Sequence, residues 1–224
     1  MSFQGRFFKS VRTLLRLFCP RCATPPLESF FQPAVYVCHH QNMRGPIATM
    51  LWMPIAVHSW SLNTFFDAKV CKRHFQEYTF SKRYGWPKWF SSFAGWAIGR
   101  PVTALLRSMG AIPVYRKSVQ SIKTVRQSVD ALAKKESLII YPDIDYSSDE
   151  AEIGEIYDGF LLVERSYYKR TGKHIPFVPL YVSAKEKTMI LGEPIYFEDG
   201  DFSEQHPIIR KRIRDAINHL AANH

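Results

Sequence analysis

The chain reads as an α/β fold: a mainly parallel central sheet flanked by helices, preceded by an amphipathic N-terminal helix. Three observations predict it. Short apolar runs recur at 34–38, 57–62, 111–115, 137–141 and 176–183, as expected of strands covered on both faces. Helical patterns separate these runs, the alternation that produces parallel neighbours. The 224 residues are 46% hydrophobic, enough for one large core, and no repeat or Pro/Gly-rich linker divides them.

The elements follow in order. Over 3–18, a turn of ~100° per residue puts Phe3, Phe7, Phe8, Val11, Leu14, Leu15, Leu17 and Phe18 on one side and Arg6, Lys9, Arg12 and Arg16 on the other. That is the pattern of a helix lying in the headgroup plane; an ordinary surface helix packed on the domain is the alternative. Arginines interrupt every apolar run, unlike a signal peptide. The Ala23-Thr24-Pro25-Pro26 break then suggests a division into a basic membrane-surface helix, 1–22, and an α/β domain, 23–224. Strand 34–38 leads to Gly45-Pro46, which opens a helix to about Met53 because proline suits a first turn. Strand 57–62 precedes a helix from Asp67, a plausible cap, to about Tyr78. Residues 86–109 read as two helices divided at Gly99-Arg100-Pro101. Strand 111–115, helix 119–135, strand 137–141, an acidic loop over 143–158, helix 159–170, strand 176–183, a hairpin-like pair near 187–197 and helix 204–221 complete the chain.

The net charge of +10 is unevenly placed. Residues 1–100 hold 13 Lys/Arg against Glu28, Asp67 and Glu77, whereas 101–224 hold 17 of each sign. Such a balance points to a polyanionic partner. Interleaved bulky apolar residues favour an anionic membrane surface over nucleic acid, for which no helix-turn-helix, zinc-finger or single-strand-binding motif is present. All five tryptophans lie between Trp52 and Trp96, among Phe75, Tyr78, Phe80, Tyr84, Phe90 and Phe93. Indole rings suit a membrane interface; core packing or the wall of an acyl pocket would use them equally well. The uncharged stretch 45–66 carries Pro46, Pro54, His58 and Asn63, which a lipid-exposed span tolerates poorly. Four cysteines suggest free thiols in a reducing compartment, although Cys19-Pro-Arg-Cys22 has the spacing of half a zinc site.

His39 stands at the C-terminal mouth of strand 34–38, where α/β sheets place their sites, and an imidazole can take a proton near neutrality. It opens an ordered series of motifs: His39 with Gly45-Pro46, Gly110-Ala-Ile-Pro-Val-Tyr-Arg116, Tyr141-Pro-Asp-Ile-Asp-Tyr-Ser147, and Val178-Pro-Leu180. Gly159 and Gly192-Glu-Pro-Ile195 extend it. Over about 33–197 the series resembles the lysophospholipid acyltransferase family, whose members acylate 1-acylglycerol-3-phosphate. The resemblance implies a glycerophosphate acyltransferase-like fold and His39 as general base. It also implies Arg116, with Gly45 and Asp143, at the acceptor, Asp143 matching the glutamate of the family's third block. No metal or organic cofactor is implied; the partners are an acyl-carrier or coenzyme A thioester donor, a lysophospholipid acceptor and the inner face of a membrane reached from the cytoplasm.

Two departures stand out. Arg44 occupies the place of the family's first-block aspartate, and Tyr146 that of its third-block arginine, beside an added Asp145. These changes have opposite signs. They predict a charge exchange in which Asp145, or alternatively Asp143, supports His39 while Arg44 joins Arg116 at the phosphate. His40 is a competing base, but register with Gly45-Pro46 favours His39. A silent, lipid-binding relative is the other reading that Arg44 allows.

Overall fold

The computed structural model describes every residue except Met1, Ser2, Tyr84, Lys117 and Ser118, and every side chain of the described residues but that of Arg83. The tyrosine of the aromatic-rich stretch at position 84 therefore lies outside the described residues. Six strands form one sheet: β1 (Val35–Cys38), β2 (Val57–Leu62), β3 (Ile112–Val114), β4 (Ser137–Ile140), β5 (Phe177–Ser183) and β6 (Thr188–Leu191). Their order is β3-β2-β4-β1-β5-β6, parallel throughout except for β6, which runs antiparallel to β5. Seven α-helices accompany them among the described residues: α1 (Arg6–Phe18), α2 (Arg44–Trp52), α3 (Ala68–His74), α4 (Lys88–Ser108), α5 (Ser121–Ala133), α6 (Leu162–Thr171) and α7 (Phe202–Asn223). The protein is an α/β protein with a mostly parallel central sheet.

The strands predicted from continuous apolar runs are the most enclosed. Every residue of β1, β4 and β5 is buried, so alternation is absent and only length and β-branching mark them as strands. Two expectations are corrected. The pair near 187–197 is a single strand, β6, whose hairpin partner is β5. Residues 88–108 form one helix, with Pro101 inside it. That helix survives its proline because its buried face, Ser91, Gly95, Gly99 and Thr103, is held at close range: a Cβ on Gly99 would stand 3.0 Å from Lys72 Cβ. Thr103 Oγ1 also donates to the carbonyls of Phe65 (2.9 Å) and Gly99 (3.0 Å). After α3 the chain continues as a π-helical segment, Phe75–Arg83.

The chain forms two compact units, with boundaries other than the break after residue 22: one of 1–11 and 60–124, the other of 12–59 and 125–224. The first holds α3, α4 and β3, and a chain of ring contacts through Phe65, Phe75, Phe80, Trp86 and Phe90. The second holds β1, β4, β5 and β6 around a core that includes Tyr36, Met53, Ile139, Val178 and Leu180.

In that second unit, Arg12 and Arg16 from the C-terminal part of α1 dock on the end of α2. Arg12 donates to the carbonyls of Leu51 (2.9 Å) and Met53 (2.5 Å), and Arg16 to Leu51 (2.6 Å). These are orphan carbonyls at the end of α2, where a cation is also favoured by the helix dipole. Burial, then the neighbouring Arg16 charge, lowers the Arg12 pKa to about 10, so it remains charged at neutrality. Leu14, Leu17 and Phe18 are exposed.

Candidate active site

The site forms where two adjacent parallel strands end. Val37 of β1 is in register with Ile140 of β4, so the residues that leave both strands at their C-terminal ends emerge side by side. His39 comes from the first and Asp143 from the second. His39 Nδ1 is paired directly with Asp143 Oδ1, and the two side chains are 2% and 3% exposed. The Asp143 carboxylate is itself held by the His40 backbone N–H, which donates to Oδ1 at 3.1 Å and Oδ2 at 3.0 Å. A carboxylate so placed fixes the ring tautomer and stabilises the imidazolium, which is the support a general base requires.

The carboxylate on the ring is that of Asp143, not Asp145. Asp145 is exposed and its Oδ1 accepts from Ser147 N (3.0 Å) and Ser147 Oγ (2.6 Å), closing a local turn. The physical reason is strand length: β4 ends at Ile140, so position 143 is still beside β1, whereas 145 has entered the loop.

His40 is excluded from the base role by its own contacts. Its Nδ1 accepts the Met43 N–H at 3.2 Å, and its ring meets those of Tyr141 and Tyr146 edge-on, both at 5.8 Å. Gln41, Asn42 and Met43 then take positive φ angles of 43°, 46° and 80°, a run that non-glycine residues adopt at a cost and that concentrates at functional sites. This turn folds the chain back so that Gly45 N donates to His40 O at 3.1 Å. A Cβ at Gly45 would stand 2.1 Å from His39 O. The glycine that sequence reasoning placed at the acceptor is thus buried against the base's own main chain. Arg44 is exposed in the first turn of α2. Arg116 is exposed after β3, in the first unit.

The other ring nitrogen is covered. His39 Nε2 lies 3.1 Å from the carbonyl oxygen of Glu150, in the acidic loop. Gln41 Nε2 reaches the same oxygen at 3.5 Å and the Tyr181 hydroxyl at 3.3 Å, while Gln41 Oε1 is buried without a partner. Two nitrogens therefore converge on one main-chain oxygen. Sequence reasoning missed Gln41 and Glu150, since neither belongs to a motif; the adjacency of Gln41 to the histidine pair was the only signal.

Nearby groups are poorly suited to nucleophilic roles. Burial, reinforced by the Asp143 and Cys22 charges, holds the Cys38 thiol well above its ordinary pKa, and burial does the same to the Tyr141 phenol, which meets Thr49 Oγ1 at 2.6 Å. Cys22 is pushed up to about 11 by burial. A protonated thiol is a weak nucleophile. No group of three or more His, Cys, Asp or Glu side chains that could hold a metal occurs among the described residues. No known family model matches the chain, and no curated protein is significantly similar to it.

Proposed function

We propose that this chain is a peripheral membrane O-acyltransferase that moves a fatty acyl group from a thioester to the free hydroxyl of a lysophospholipid, 1-acylglycerol-3-phosphate being the nearest acceptor by resemblance. The buried His39–Asp143 pair at two neighbouring strand ends carries the reading. His39 Nε2 takes the acceptor's hydroxyl proton as its oxygen attacks the thioester carbonyl. The tetrahedral intermediate collapses with cleavage of the C–S bond, and the imidazolium returns its proton to the leaving thiolate. Asp143 holds the Nδ1–H throughout, doing from the third motif what the family's aspartate does from the first. Arg44, exposed five residues beyond His39, is the cation proposed for the acceptor phosphate. The docked α1, with Leu14, Leu17 and Phe18 outward, serves as the amphipathic helix on the cytoplasmic membrane face. Turnover requires the Glu150 carbonyl to leave Nε2, whose place the acceptor hydroxyl then takes.

The test is acyl transfer to lysophosphatidic acid by the purified chain. Asp143→Asn is expected to lower kcat by about 100-fold or more, as His39→Ala does, because general-base steps contribute roughly 10²–10⁴; Asp145→Asn should stay within about threefold of wild type. Near-normal turnover in Asp143→Asn overturns the assignment. The covered Nε2 favours a second reading, a silent relative that only binds lipid. It predicts transfer no greater than the His39→Ala background alongside calorimetrically measurable binding of lysophosphatidic acid.

A further inference from the structure

The transfer reading leaves the aromatic residues of the first unit without a role, and α4 divides them sharply. Its inner face is a row of small residues closed by α3 and the π-helical segment. A Cβ on Gly95 would come 2.4 Å from Gln76 Cγ and 3.0 Å from Lys72 O. Its outer face carries Trp89, Phe93 and Trp96, which are 75%, 62% and 64% exposed. At ~100° per residue these three, with Arg100 and Arg107, fall within about 60° of one another. Large rings this exposed and this closely aligned are rare on a surface that meets only water.

The charge around them names the partner. The first unit holds 13 Lys and Arg against only Asp67 and Glu77, a net of +11; the second holds 17 against 18, a net of −1. The whole positive excess of the protein therefore belongs to the unit that bears the exposed rings. Lys88 and Arg100 are exposed on α4 itself, and Lys82 is exposed in the π-helical segment of the same unit. Indole and phenyl rings flanked by cations suit the boundary between headgroups and acyl chains. Exposed Ala97 and Ala104 continue the outer side of α4 without the hydrogen-bonding groups that base recognition uses. No helix of the described residues is long and apolar enough to cross a membrane, so α4 can engage lipid only by lying along its surface.

We propose that the outer face of α4 is a docking surface for an anionic bilayer, into which Trp89, Phe93 and Trp96 insert while Lys82, Lys88 and Arg100 pair with lipid phosphates. It deepens the peripheral-membrane reading above, on which it rests, but it does not depend on the transfer chemistry.

Co-sedimentation of the full chain with vesicles of equimolar phosphatidylglycerol and phosphatidylcholine tests it. The wild type should bind these and not pure phosphatidylcholine, with a blue shift of tryptophan emission. The combined variant Trp89→Ser, Phe93→Ser, Trp96→Ser, whose side chains leave the packed face of α4 intact, should keep its thermal melt and lose about tenfold or more in vesicle affinity. The variant Lys82→Gln, Lys88→Gln, Arg100→Gln should bind more weakly and with a shallower salt dependence. Equal binding by the serine variant, no binding by the wild type, preference for single-stranded RNA at moderate salt, or a wild-type dimer that the serine variant dissolves would each overturn the proposal. Transfer between a water-soluble acyl donor and a short-chain acceptor separates the two readings. A wild type that docks on vesicles yet transfers nothing loses only the enzyme assignment; one that transfers in solution but ignores vesicles loses only the docking face.

Discussion

His39 and Asp143 are 104 positions apart, and what brings them together is a pair of strand ends and one backbone N–H. The neighbouring His40 shares none of the ring geometry despite sharing the segment, because successive side chains leave an extended chain on opposite sides. A second histidine shows how the same residue serves structure. His174 Nδ1 meets the buried Glu164 Oε1 at 2.6 Å, its Nε2 meets Asp199 Oδ1 at 3.3 Å, and its ring stacks on Tyr168 at 4.5 Å. Burial opposes charging of His174, but the two carboxylates outweigh it and raise its pKa. A raised folded-state value means stability that is complete below the unfolded pKa and lost as pH rises through the folded one. Thermal melts should therefore fall by about 2–4 °C more between about pH 6 and pH 8.5 in the wild type than in His174→Gln. An identical pH profile in the variant would remove the histidine from the account.

At the scale of elements, glycine and small residues decide which pieces pack. The outward side of α4 tolerates anything polar, whereas its inner row meets α3 at backbone distance. A valine at Gly99 would press on Lys72 Cα, 3.1 Å from the added Cβ, where the neighbour is main chain and cannot turn away. Gly99→Val is expected to cost about 1–3 kcal/mol, read from denaturant unfolding, while Trp96→Ser on the opposite side should change stability little. Equal effects would mean that the inner row is not a packed interface. The same constraint explains why Pro101 was a poor guide: its penalty is real, but α3 and the Thr103 hydroxyl hold both halves of the helix in line.

Across the whole molecule, burial is concentrated in the second unit. Its strands β1, β4 and β5 are buried at every position, while α4 buries only four residues, all small. Regions with few buried apolar contacts open locally before the global transition. Amide hydrogen exchange should accordingly show α4 exchanging about tenfold or more faster than β1, β4 and β5. Uniform protection would indicate that the two units unfold as one. Charge follows the same division: the positive excess lies in the first unit and the His39–Asp143 pair in the second.

Apolar runs at 34–38, 137–141 and 176–183 were sufficient to locate three strands within one residue at each end, because a strand covered on both faces leaves little choice of residue type. The position of His39 at a strand mouth and the charge bias of the early chain were equally legible. What amino-acid order alone left open was which acid reaches the imidazole, since three residues or five beyond a strand differ only in how the chain turns. Nor does local sequence reveal that the Glu150 carbonyl covers the ring, that Arg12 and Arg16 turn inward onto the end of α2, or that Trp89, Phe93 and Trp96 face outward. Each of these is a contact, or the lack of one, between segments distant in the chain, and tertiary packing alone sets it.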